Sequence, residues 1–292
     1  MKAYDIEVLK RPANRGPADC HGWVFGLPPG IAPAQWPLDP NNGFPLLHGF
    51  TLLLPEDHRV HGPDIVALSF FATAPDHNDG GPFEVAGARE MVEAAGGAHP
   101  RLHRMQDILG CDYAVILLTD AEFNGPLCRP PAVESRTDAK APDWVTMGSA
   151  AAHARHCGAM TDEPARPHPL VELLGERPPS ELTFHRAIRW TPRAQDPNAG
   201  VPPREEWAAE KTGYQSYFYW LDGKVAAENW REHDWAKGHK DLHIGGTMRP
   251  VQNIPDFSPC YIEFDESFGG YNFGGGNAQL DFRDMKFDWA CG

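Results

Sequence analysis

A motif occurs twice in this chain, once near each end, and it limits the folds open to it. Near the start, Gly26-Leu27-Pro28-Pro29 leads through Trp36-Pro37 and Pro45 to Gly49-Phe50-Thr51-Leu52-Leu53-Leu54. Near the end, Gly245-Gly246 leads to Pro250-Val251-Gln252 and then to Cys260-Tyr261-Ile262-Glu263-Phe264. Each copy is a Gly/Pro-marked turn followed by a strand-like run. A second apolar or alternating run follows in each, Ala67 to Phe71 in the first and Asn277 to Phe282 in the second. A duplicated motif of this kind describes a scaffold and carries no chemistry of its own.

Between the two copies the pattern changes. Cys20 to Phe25, Phe50 to Leu54 and Ile65 to Phe71 read as strands, with turn chemistry at Asp39-Pro40-Asn41-Asn42-Gly43. Val85, Ala88, Met91, Val92 and Ala95 fall at helical spacing, and Gly96-Gly97 supplies a stop. Leu102, Met105, Ile108 and Leu109 suggest a second short helix, and Tyr113 to Leu118 a buried strand. The stretch 121–212 holds 13 of the 29 prolines, so long loops are expected there. Within it the pattern predicts a helix near 143–157, sheet near Leu182 to Trp190 and a helix over Glu205 to Lys211. Tyr217 to Leu221 is aromatic and β-prone, and Asp222-Gly223 marks a turn. The last strands are expected at Cys260 to Asp265 and Asn277 to Phe282, joined by a wide Gly-rich turn over 268–276.

These patterns predict an α+β, β-rich fold. Two similar β-containing halves, approximately 1–120 and 180–292, pack as one unit of 292 residues, with peripheral helices and a Pro-rich connecting region over 121–212. At the residues of the repeat the chain resembles the YwqG-like family of uncharacterised bacterial proteins. Gly26-Leu27-Pro28, Trp36-Pro37, Phe50 to Leu54 and Leu68-Ser69-Phe70-Phe71 follow its first-half pattern. His243 to Gly246, Pro250-Val251-Gln252, Ile262 to Asp265 and Gly274 to Phe282 follow its second. Two positions depart from it: Glu263 stands where the family has Gln, and Gly275-Gly276-Asn277-Ala278 replaces its Gly-Asp-x-Gly turn. The resemblance implies a mixed, β-rich fold with two similar halves and no established activity. It also implies a bacterial setting in which related chains are suspected of acting as immunity proteins in toxin systems.

Composition narrows the classes of function. The net charge of −14 argues against nucleic acid and anionic membrane surfaces and suits a basic protein partner. No run approaches the ~20 apolar residues that a membrane helix needs. The N-terminus has acidic residues where a signal peptide carries its apolar core, so a cytoplasmic location is expected. Six scattered cysteines form no Cys-x-x-Cys pair and read as small buried residues in a reducing compartment.

Chemical signatures are sparse. His153, His156 and Cys157 share a face at helical spacing but lack an identifiable further ligand, and His239 and His243 lack the Glu of a metalloprotease motif. The Gly-rich 269–276 has no following Lys for a P-loop. From Asp256 onward seven carboxylates (256, 263, 265, 266, 281, 284 and 288) face only Arg283 and Lys286. They read as solvated strand edges, as an acidic binding face, or as an acid/base or calcium site. No catalytic residue, metal ligand or cofactor is expected. The binding reading places a partner on Glu263, Asp265, Glu266, Asp281 and Asp284, with Tyr271 and Phe273 as exposed aromatic anchors. Its sharpest form is a non-enzymatic immunity protein that occludes a basic, secreted toxin; the alternative is a metal-dependent hydrolase using His and carboxylate residues.

Overall fold

Strands dominate, and the longest of them are the apolar runs Ile65–Ala72 and Asp112–Thr119. The computed structural model describes residues 1–13, 20–132, 139–160, 169–205 and 212–292. In chain order the strands and helices are β1 (Tyr4–Val8), β2 (Gly22–Val24), β3 (Leu47–Leu53), β4 (Ile65–Ala72), α1 (Ala88–Ala94), β5 (Leu102–Gln106) and β6 (Asp112–Thr119). There follow α2 (Asp120–Phe123), α3 (Trp144–Met147), α4 (Ser149–Met160), α5 (Pro169–Leu174), β7 (Arg186–Pro192), β8 (Phe218–Trp220) and β9 (Trp230–Glu232). β10 (His243–Ile244), β11 (Tyr261–Asp265), β12 (Asn277–Asp281) and β13 (Lys286–Ala290) complete the chain. The fold is β-rich and antiparallel, and its helices are few and short.

The chain forms two compact units. The first comprises Met1–Glu7, Trp190–Asp265 and Phe273–Gly292; the second comprises Val8–Arg189 and Glu266–Asn272. Strands β1 and β7 each run from one unit into the other. In the first unit the strand order is β13-β12-β11-β10-β1, and the β8/β9 ribbon belongs to the same unit. In the second it is β7-β2-β3-β4-β6-β5.

The second unit is built on β3, β4 and β6. Every residue of β4 is buried, as its unbroken run Ile65-Val66-Ala67-Leu68-Ser69-Phe70-Phe71-Ala72 requires of a strand covered on both faces. Phe50, Phe70, Phe71, Tyr113 and Trp23 fill this core, and Phe268 and Tyr271 of the late segment join it. The Tyr271 ring stands edge-on to Phe70, 5.6 Å away, and Phe268 lies 5.0 Å from Phe50. Tyr271 also explains Gly49. A Cβ at that position would come within 1.7 Å of the Tyr271 Oη, so any larger residue displaces the ring.

The strands β2-β3-β4 and β10-β11-β12 are paired in the same antiparallel order. β2 pairs with β3 through Val24↔Phe50, and β3 with β4 through Thr51↔Ser69. β10 pairs with β11 through Ile244↔Ile262, and β11 with β12 through Glu263↔Gln279. Both first strands end in two successive left-handed residues. These are Phe25 (φ 65°) and Gly26 (φ 69°) in one unit, Gly245 (φ 59°) and Gly246 (φ 83°) in the other. A buried Phe holding this conformation costs about 1 kcal/mol or more that glycine avoids.

Three expectations change. The helix expected over Leu102 to Leu109 is strand β5, because its backbone completes a ladder with β6 from Leu102↔Ile116 to Gln106↔Asp112; Ile108 then lies exposed. The helix near 143–157 is two helices, broken at Gly148 with φ 82°. A final strand that the sequence reading lacked, β13, pairs with β12 along Asn277↔Ala290 to Asp281↔Lys286. The helix expected over Glu205 to Lys211 falls largely on 206–211, outside the described residues.

The contact at Gly49 gives a direct test. Gly49→Ala is expected to lower unfolding free energy by about 2 kcal/mol, the cost of overpacking a filled core. Denaturant titration of G49A, Tyr271→Ala and the double variant checks it: the G49A penalty should shrink once the Tyr271 ring is gone.

Candidate functional site

The C-terminal acidic run does not form one surface. Glu263 and Asp281 have no exposure, and Tyr271 and Phe273 are each 1% exposed. The two rings are core residues: Tyr271 packs as described above, and Phe273 stacks on Trp289 at 5.8 Å. They cannot serve as exposed anchors. Asp265 is exposed and Glu266 half-buried, and Asp284 is exposed and held by Arg283 at 2.9 and 3.0 Å. Four consecutive residues are buried in each strand, Tyr261 to Phe264 in β11 and Ala278 to Asp281 in β12, so both faces are covered and the carboxylates at 263 and 281 go inside with them.

Glu263 is fully committed. Its Oε2 accepts from His243 Nε2 at 2.7 Å and from the Arg249 amide at 2.8 Å. Its Oε1 accepts from Asn277 Nδ2 at 3.0 Å and Gln279 Nε2 at 2.9 Å. Four donors meet the acceptor capacity of a carboxylate, which is what its burial demands. The His243 ring also contacts the Gly245 carbonyl through Nδ1 at 2.8 Å. Asp281 is equally spent: it takes the Ser258 amide at 2.6 Å, the Ser258 hydroxyl at 2.8 Å and the amides of Arg283 and Asp284 at 3.0 and 3.1 Å.

At the matching place in the second unit, Thr51 and Ser69 share a 2.8 Å hydrogen bond, and His48 Nε2 joins at 3.0 Å. His48 Nδ1 contacts the Gly26 carbonyl at 3.1 Å. Full burial pushes the His48 pKa down to about 3, so the ring is neutral.

Exposed aromatic surface is found in the first unit, on the β8/β9 ribbon. Tyr219, Leu221, Val225 and Trp230 are 42%, 40%, 78% and 40% exposed. Trp220 pairs across the ribbon with Trp230, and Trp230 stacks on Phe218 at 6.1 Å. Arg249 holds the ribbon. Its guanidinium lies over the Tyr217 ring at 4.8 Å, contacts Glu232 and donates to the Ala236 carbonyl at 2.7 Å. The Arg249 amide is the one bound to Glu263, so the buried carboxylate fixes the base on which the ribbon stands.

The second unit has a groove between α1 and β5. Its wider part is a cavity of about 460 Å³ with Arg89, Glu93, Arg104, Gln106 and Asp112 among its walls. An adjoining cavity of about 240 Å³ is lined by Pro33, Trp36, Leu38, Ala95 and Pro131. Val92, Leu102 and Arg104 border both. Burial, then the charge of the neighbouring Asp39, pushes the Asp112 pKa up to about 6. Asp112 accepts from Asn41 Nδ2 at 3.0 Å. Asp39 is itself raised by burial and accepts from Asn41, Asn42 and Thr73. The sequence reading missed this groove because it made Leu102 to Leu109 helical. Strand alternation, period two, is the signal that would have put Leu102, Arg104 and Gln106 on one face.

The histidine candidates contribute no centre. His153 Nε2 lies 3.6 Å from Cys157 Sγ, and burial pushes that thiol up to about 12. Among the described residues no group of three His, Cys, Asp or Glu side chains could hold a metal ion. No helix among them is long and apolar enough to cross a membrane. Comparison with protein-family models, curated proteins and solved structures finds no match to this chain.

Two outcomes follow. Glu263→Ala leaves four buried donors without an acceptor and is expected to cost about 3–5 kcal/mol, whereas Glu263→Gln, which keeps the shape, costs about 1–2; urea titration separates them. For His48, the unfolded chain with an ordinary pKa of 6.5 binds a proton that the folded chain, at about 3, refuses. Its contribution is intact above pH 6.5 and is lost toward pH 3, by up to ~1.4 kcal/mol per pH unit. Stability measured between about pH 8 and about pH 5 should fall less steeply in His48→Gln than in the wild type.

Proposed function

We propose that this protein is a non-enzymatic protein-binding protein and that the β8/β9 ribbon is its docking surface. The observation that carries the reading is the exposure of Tyr219, Leu221, Val225 and Trp230 on one short ribbon. Large exposed aromatics are costly to leave in water and are the residues that dominate binding energy at interfaces. The ribbon is stiffened by the Arg249 contacts, which reduces the entropy lost when a partner docks.

The net charge of −14 favours a basic partner by steering its approach. In this reading the protein is the immunity factor of a bacterial toxin and the ribbon covers the toxin's basic cleft. The resemblance to YwqG-like proteins and the repeated meander, read as a duplicated scaffold of two similar halves, belong to the same proposal. Exposed Asp265 and Asp284 add negative charge without serving as anchors. Glu263 and Asp281 are saturated with internal hydrogen bonds and, held that way, offer the hydrolase alternative no open acceptor.

The test compares capture by the wild type with capture by a Tyr219→Ala/Trp230→Ala variant, from lysate of a bacterium that carries the gene, over a salt series. A single basic protein held in near-equal amount by the wild type, released by salt and weakened at least tenfold by the variant, is the expected result; tenfold is about 1.4 kcal/mol, modest for two aromatic anchors. Equal retention by both proteins, with matching thermal unfolding, would remove the ribbon from the interface.

A further inference from the structure

We propose that the groove between α1 and β5 is a ligand site for a small organic monoanion, a carboxylate with an apolar tail. The site differs from the ribbon in unit, in chemistry and in the size of what it can take. Its two parts divide the labour. The wider cavity presents Arg89 and Arg104; the adjoining one presents Trp36, Leu38, Pro33 and Pro131, with Val92 and Leu102 continuing the apolar wall between them. A cavity of about 460 Å³ falls in the size range of small-molecule sites, which are mostly apolar with a few convergent polar groups.

The charges select the head group. The Arg104 guanidinium makes no direct hydrogen bond or ion pair with the described residues, although it lines both cavities and feels the charges of Asp112 and Asp39 at longer range. Arg89 has a single long contact, 3.3 Å to Asn41 Oδ1. The two guanidiniums therefore keep free donors in a concave site, and a carboxylate is the planar acceptor that fits a guanidinium fork. Strand geometry holds Arg104 there: β5 places it opposite Ala114, whose small side chain leaves the guanidinium free to turn into the groove. Glu93 and Asp112 stand on the same walls, so a second negative charge on the ligand would meet repulsion. That restricts the ligand to one carboxylate, and the apolar part gives its tail a place out of water.

Octanoate is the probe, with acetate and octanamide as controls, followed by amide chemical shifts and calorimetry on the full chain. Octanoate should bind saturably at one site, and acetate and octanamide at least tenfold more weakly. Arg104→Ala, an exposed position that leaves the core untouched, should weaken octanoate at least tenfold, with Arg104→Lys between the two. Val92→Trp, which fills the shared wall, should do the same while leaving the unfolding curve close to wild type. Absence of saturable binding at millimolar octanoate, or equal binding by Arg104→Ala, overturns the site. Octanamide binding as tightly as octanoate overturns the anion assignment, and acetate binding as tightly overturns the apolar tail.

Discussion

Each unit of this protein has to bury polar groups across the middle strands of its meander, and the pairing of those groups is the constraint that the surrounding structure obeys. In the first unit Glu263 and Gln279 face each other across β11 and β12; in the second Thr51 and Ser69 do so across β3 and β4. The two solutions differ in charge. A hydroxyl pair closes with one hydrogen bond and a neutral histidine. A carboxylate needs four donors, and it recruits them from β10, from β12 and from the loop that carries Arg249. Register in both units is thereby fixed twice, by the apolar pattern and by polar groups that fit only one alignment.

Both proposed sites lie where that internal order stops. The ribbon is too short to have a core of its own, so its aromatic side chains are shared between mutual stacking and solvent. The groove lies along β5, the last strand in the order of its sheet. Charged residues on a terminal strand also discourage pairing with another chain. Lys286 and Asp288 on β13 follow the same rule, which accounts for part of the C-terminal acidity without invoking a partner.

Much of the strand content was legible in the amino-acid sequence, because runs such as Ile65 to Phe71 and Tyr113 to Leu118 are apolar enough to leave few alternatives. The acidic face was not, and the reason is specific. Sequence shows that Glu263 and Asp281 are charged, but their burial depends on donors that arrive from His243, Arg249 and Ser258, far along the chain or on neighbouring strands. Tyr271 and Phe273 sit in a glycine-rich stretch that reads as a solvated turn, yet both rings are core. The misreading of Leu102 to Leu109 had a different origin. Leu102, Met105 and Ile108 match a helical period by spacing alone, and only the ladder to β6 decides for a strand. The β8/β9 ribbon was half visible: Tyr217 to Leu221 announced a strand, while its partner Trp230-Arg231-Glu232 is too short and too polar to stand out.

The placement of Phe268 and Tyr271 bears on how the chain comes off the ribosome. The second unit consists of Val8–Arg189 and the distant segment Glu266–Asn272. Its first 182 residues are made well before the two rings that complete its core, since 76 residues separate Arg189 from Glu266. Through that interval Phe50 and Phe70 have a face that nothing yet covers. A nascent chain in this state is an apolar, strand-rich intermediate of the sort that chaperones hold and that aggregates when they do not. Neither unit can close before its late segment is made, Glu266–Asn272 for the second and Phe273–Gly292 for the first, so neither folds strand by strand as it emerges.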